Sequence, residues 1–99
     1  MTEVLQNDEY ERRFAGVAKI YGEDSFNHYE QSHVMVIGIG GVGSWAVEAL
    51  ARTGLGELTL VDMDVIAASN IYRQLPALTK TLSHEKIDVM VELCLALNP

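Results

Sequence analysis

The chain is poor in several things. It has one cysteine, Cys94, in 99 residues. No internal disulfide can form, so a reducing cytoplasm is the expected location. No apolar run approaches the roughly 18 residues that a membrane-spanning helix needs, so no membrane partner is expected. The opening MTEVLQNDEYERR is polar and rich in acids, the wrong chemistry for a signal or transit peptide. Bases are scarce: seven Lys and Arg face fourteen Asp and Glu, a net charge of −7. Residues 1–30 carry seven acids and three bases, and residues 31–99 carry seven and four. Without a Lys/Arg cluster there is no nucleic-acid footprint, so any such contacts must come mainly from outside this sequence. His28, His33 and His84 lack metal-ligand spacing and read as structural or solvated, so no metal site is expected in these residues. Repeats and low-complexity segments are also absent.

What is present is an α/β pattern. Residues 9–21 read as a helix with Tyr10, Phe14, Val17 and Tyr21 on one apolar stripe, stopped at Gly22. SFNHYEQS is a short helical or loop connection. His33 to Gly38 is a strand, nearly all apolar, as expected of one buried on both faces. A helix follows through WAVEALART, ended by Gly54 and Gly56, and Glu57 to Asp62 is a second strand. This strand–helix–strand unit has the ~30-residue length of a parallel crossover. SNIYRQL is a short helical turn entered at Ser69 or Asn70, and PALTKTL is a loop. Ser83 is expected to cap a last helix whose apolar face is Ile87, Met90, Val91, Cys94 and Leu97. Cys94 on that face reads as core. Two parallel strands make a poor sheet alone. The expectation is therefore an incomplete Rossmann-like parallel sheet with flanking helices. Residues 1–32 form a helical segment, and 33–99 the N-terminal part of a larger nucleotide-binding domain.

Chemistry concentrates in VIGIGGVGSW, Val36 to Trp45. Gly38-x-Gly40-x-x-Gly43 follows a strand and opens a helix, the context a phosphate-binding fingerprint requires. Gly38 turns the chain off the strand, Gly40 lets backbone approach phosphate, and Gly43 lets helix and strand pack closely. Gly41 adds more bare backbone. The helix start offers N–H groups and the positive dipole end to an anion. Asp62, nineteen residues past Gly43, stands where an acid grips ribose hydroxyls. To this point NAD and ATP fit equally. Asp64 adds a second carboxylate, and Ser69, Asn70, Arg73 and Gln74 place polar groups and a guanidinium on one short element. Lys86 lies in the first turn of the last helix. A triphosphate asks for cations beyond a helix end, and Arg73 and Lys86 supply them. Lysine there opposes the helix dipole, a local conflict typical of functional sites. ATP is favoured; an NAD-dependent oxidoreductase domain would leave Asn70, Arg73 and Lys86 idle.

These residues together resemble a family. G-x-G-G-x-G-S, D-x-D, N-x-x-R-Q and a lysine opening the next helix are similar to the ubiquitin-activating-like adenylating enzymes ThiF, MoeB and HesA. RRFAGVAKIYG, GVGSW, LVDMD and NIYRQLPAL resemble the branch acting on threonylcarbamoyladenosine in tRNA. The resemblance runs from about Glu11 to Pro99. It implies a Rossmann-like fold, usually as a homodimer, binding ATP with Mg2+ and transferring AMP to a carboxylate. It also implies tRNA as substrate of the full-length members and sulfur-transfer proteins as partners. By position, Gly38, Gly40, Gly41 and Gly43 line the phosphates and Asp62 takes the ribose. Asn70 and Arg73 hold the triphosphate side, Gln74 supports them, and Arg73 and Lys86 are the catalytic cations. Asp64 orders the following loop. An arginine that relatives carry at the position of Gly16 is missing, leaving Arg13 or Lys19 to reach toward the partner's ATP. The branch also has an acid at Val65, an asparagine at Tyr72 and a glycine at Ser83. The family's magnesium-binding aspartate and substrate region are expected beyond Pro99, which leaves a non-catalytic nucleotide-binding or dimerising fragment as the competing reading.

Overall fold

In the computed structural model, which describes residues 7–99 with side chains from Glu9, two parallel strands carry helices on one face and at one end. The first six residues of the expected helical segment lie outside the described residues. Helix α1 spans Asn7–Tyr21 and α2 spans Glu23–Gln31. Strand β1 is His33–Ile37, helix α3 is Gly43–Arg52, strand β2 is Glu57–Val61 and helix α4 is Lys86–Leu97. Short 3-10 turns occupy Ala68–Asn70 and Thr79–Thr81 within the connection from β2 to α4. The strands pair in parallel, from His33 opposite Glu57 to Ile37 opposite Val61. Among the described residues, no helix is long and apolar enough to cross a membrane.

Two separate cores hold these elements. Val36, Leu58 and Leu60 point from the sheet toward α3 and α4 and pack around Ile39, Val47 and Met90, each of the last three fully buried. Burying such a side chain contributes about 1.5–3 kcal/mol. The second core joins α1 to α2. Phe14 and Phe26 pack on Tyr10, with ring centroids 5.0 and 5.6 Å from its own. Tyr10 donates its hydroxyl proton to the carbonyl of Gly54, tying α1 to the loop after α3. Burial, and then the nearby Glu30 carboxylate, push the Tyr10 phenol up to about 12.

Four expectations change. β1 is not buried on both faces: Met35 and Ile37 are exposed, while Val34 and Val36 are half-buried. The apolar run satisfies two faces, but within this chain helices cover only one. Tyr21 leaves the aromatic stripe and meets Tyr29 edge-on at the surface, 6.1 Å between centroids. On α4, Val91 is 40% exposed where it borders a cavity beside β2, and Leu93, not expected on the apolar face, packs inward beside Ile87, Cys94 and Met90. Ser83 does not cap α4. Glu85 precedes the helix without a side-chain cap, and Ser83 instead sits at φ 70°. That left-handed conformation suits glycine, the residue the family resemblance places there.

The turn at Ser83 has a structural purpose. Ile66 N–H donates to His84 O at 2.8 Å, and Ser83 N–H donates to Ile66 O at 2.8 Å. Val65 and Glu85 form an isolated antiparallel bridge, and Lys86 N–H donates to Asp64 O at 3.1 Å. The start of α4 is thereby stitched to the segment that leaves β2.

Candidate functional site

The glycine loop sits at the C-terminal ends of both strands. Gly38 takes φ 91°, a conformation that side chains resist, and its N–H donates to Val61 O at 2.8 Å. A Cβ on Gly43 would lie 1.8 Å from the carbonyl oxygen of Gly38, so only glycine permits α3 to start this close to the strand. Between them Ile39 anchors the loop: its side chain is wholly buried, while its N–H donates to Asp62 Oδ2 at 2.7 Å. Val42, the residue before α3, offers no side-chain cap. Among the described residues, the N–H groups of Gly40, Gly41 and Val42 have no hydrogen-bond acceptor. These donors, with the start of a ten-residue helix, form an anion-facing surface.

Asp62 follows β2 directly. Its Oδ1 accepts the N–H of Asp64 at 2.7 Å, as Oδ2 accepts that of Ile39. Each oxygen keeps a further lone pair for a ligand hydroxyl. Burial acts to raise its pKa. The N–H groups of Ile39, Asp64 and Met63, together with the Lys86 charge, outweigh that and hold the carboxyl below its usual range. Asp62 therefore stays ionised at neutral pH.

Lys86 is 5% exposed. Its Nζ lies 3.8 Å from Oδ2 of the exposed Asp64, beyond hydrogen-bond range. The side chain is buried along its stem, and its ammonium is left with donors to spare. Gln74 differs: it is 5% exposed, and its buried Oε1, an acceptor, has no hydrogen-bond partner. Its amide lies by the glycine loop, with Nε2 4.0 Å from where a Gly40 Cβ would stand.

Arg73 lies against the same loop. A Cβ on Gly41 would be 3.5 Å from its Cδ. Its Nη1 donates to Ser69 O at 2.9 Å, and its guanidinium carbon stands 5.0 Å from the Tyr72 ring centroid. Asn70 is buried: its Oδ1 accepts the N–H of Ala67 at 2.9 Å and shapes the 3-10 turn. Ser69 contributes its carbonyl to Arg73.

The structure thus brings Gly38, Gly40, Gly41, Gly43, Asp62, Asp64, Arg73, Gln74 and Lys86 to one edge. Ser69 and Asn70 lie on the turn that leads into Arg73 and Gln74. Two contributors were not singled out from the sequence. Ser44, fully buried, donates to Gly40 O and accepts Leu75 N–H at 3.2 Å. Trp45 Nε1 donates to Arg73 O at 3.0 Å. Their signal was GVGSW itself, where two side chains capable of hydrogen bonding open the helix. Arg13 is elsewhere. It pairs with Glu9 at 3.3 Å and donates to Leu97 O at 3.1 Å, beside the Arg52 end of α3. A cavity of about 280 Å³ between β2 and α4 is apolar, lined by Leu58, Leu60, Ile87, Val91 and Cys94, and does not include these site residues.

A bare-backbone loop at a helix start, an oriented carboxylate and buried polar groups in excess define a nucleotide-phosphate site on a Rossmann-like frame. The chain belongs to the ThiF family, whose profile matches residues 10–99. It is 52% identical over 99 residues to the tRNA threonylcarbamoyladenosine dehydratase of Haemophilus influenzae, covering all of this chain and 38% of that protein. It is 46% identical over 96 residues to the Escherichia coli enzyme of the same name, covering 97% of this chain and 36% of that one. The solved E. coli structure, TcdA, superposes with TM-score 0.93 at 45% identity, over 98% of this chain and 39% of that chain. The same enzyme has been solved with AMP and with ATP, at TM-scores of 0.93 and 0.92. The chain therefore spans less than half the length of these relatives.

Proposed function

We propose that this chain is the nucleotide-binding part of an ATP-dependent adenylating enzyme acting on the carboxylate of threonylcarbamoyladenosine in tRNA. The observation that carries the reading is the surplus of hydrogen-bond donors at the glycine loop. The N–H groups of Gly40, Gly41 and Val42 and the Lys86 ammonium are donors without acceptors among the described residues, and a bound polyphosphate supplies those acceptors. The relatives solved with ATP and AMP support the same ligand. NAD offers no use for Lys86 and Arg73.

Bound ATP supplies an adenylyl group that turns the carboxylate oxygen, a poor leaving group, into part of AMP, a good one. The carboxylate displaces pyrophosphate, and the activated carbonyl is then attacked from within the same modification, which closes a ring and releases AMP. The chain's own residues hold and neutralise. Gly40, Gly41 and Val42 donate backbone N–H groups to phosphate. Asp62 orients the ribose. Arg73 and Lys86 offset the charge that shifts toward pyrophosphate. Mg2+ belongs to this reading as the triphosphate's counter-ion, with its ligand expected beyond residue 99. So do a homodimer, a cytoplasmic location and sulfur-transfer partners, all drawn from the family resemblance.

Calorimetric titration with ATP–Mg2+ and with NADH tests the site. ATP is expected to bind, and Arg73→Ala or Lys86→Ala to weaken it at least tenfold, the loss of one charge-assisted contact. NADH binding that survives both substitutions would refute the reading. The competing reading is nucleotide binding without turnover. Pyrophosphate exchange with modified tRNA separates the two.

A further inference from the structure

We infer that Trp45 is a positioning residue that holds Arg73 against the glycine loop, and that its fluorescence reports phosphate occupancy. The inference rests on the ATP reading above. Arg73 has an exposed, flexible side chain, yet its stem runs beside Gly41. Its main chain is fixed from α3: the Trp45 indole N–H bonds its carbonyl at 3.0 Å. One residue earlier on α3, Ser44 accepts the N–H of Leu75 at 3.2 Å and donates to Gly40 O. Two adjacent side chains on the first turn of α3 therefore clamp the 73–75 segment to the loop. The Arg73 head is steered in turn by Ser69 O and the Tyr72 ring. The Trp45 hydrogen bond goes to the main chain of Arg73, so its effect on the nucleotide runs through Arg73. It is also 50% exposed and the only tryptophan in the chain.

The test compares wild type with Trp45→Phe, which keeps an aromatic ring but removes the N–H donor. ATP and AMP affinities are measured by calorimetry, with thermal melting as the check on folding. Loss of one hydrogen bond to a positioning carbonyl is expected to weaken ATP binding about fivefold. AMP, which lacks the phosphates Arg73 serves, is expected to change less than twofold, so the ATP-to-AMP affinity ratio falls. In wild type, ATP is expected to change Trp45 emission, and Arg73→Ala to abolish that change at saturating ATP. An unchanged ratio in Trp45→Phe, or equal losses for both nucleotides, overturns the positioning role. A wild-type chain that binds no ATP overturns the underlying reading as well, and calorimetry distinguishes that case directly.

Discussion

The two ends of this molecule solve opposite problems. At the far end, Tyr10, Phe14 and Phe26 stack between α1 and α2, and the one buried hydroxyl finds the Gly54 carbonyl. Among the described residues, no buried side-chain polar atom there lacks a partner. At the loop end, Lys86 and the Gln74 amide are buried without full partners, and Ser83 is held in a conformation costly for serine. Both ends are well packed, so poor packing does not explain the surplus. The contrast separates residues that hold the fold from residues held ready for a ligand.

The sharpest way to break this contrast is at Gly43, which serves both purposes. Gly43→Ala puts a methyl 1.8 Å from the Gly38 carbonyl oxygen. The expected cost is about 4 kcal/mol or more, comparable to the whole stability of a small domain. Circular dichroism melting should show the folded baseline lost. Next is the far end alone. Phe14→Ala should cost about 3–4 kcal/mol in a denaturant titration, and any ATP affinity measured in the folded state should be unchanged. The loop end should behave the other way. Lys86→Met removes a buried charge and fills its space, so the melting temperature should hold or rise while ATP binding weakens at least tenfold. A fall in both would mean Lys86 is a structural residue.

Two smaller effects refine the comparison. Ser83→Gly should stabilise by about 0.5 kcal/mol, the left-handed strain relieved less the extra freedom of glycine when unfolded. The last concerns pH. Tyr10 has its folded pKa raised to about 12. The stability this represents is present below the ordinary tyrosine value of 10.0 and is lost as pH rises toward 12. Alkaline melts should show that decline, and Tyr10→Phe should remove it. The sign reverses at Asp62. Its depressed pKa stabilises above the usual carboxylate range and is lost as pH falls through the folded value.

Much of the frame was legible. The apolar strands, the glycines between them and the helix through WAVEALART follow from local rules that one window of sequence contains. The gathering of Gly41, Asp62, Arg73 and Lys86 also agrees with the spacing argument. What was hidden is non-local. The burial of Lys86 depends on the pairing of Asp64–Ile66 with Ser83–Lys86, which no periodicity records. Tyr21 falls on the right helical spacing, but α1 ends where α2 turns away from it. The bare face of β1 could not be read because an apolar strand looks the same whether or not its second face is covered. Trp45 and Ser44 were missed for a related reason: their partners lie about thirty residues on, across a loop.

That bare face governs how the chain behaves in a tube. Met35 and Ile37 make it adhesive, and the net charge of −7 keeps copies apart. Added salt screens the repulsion without weakening the adhesion. Moving the pH toward the isoelectric point of about 4.7 removes the repulsion altogether. The preparation should therefore be most dispersed in dilute, mildly alkaline buffer and cloud as salt rises, and light scattering can follow that trend.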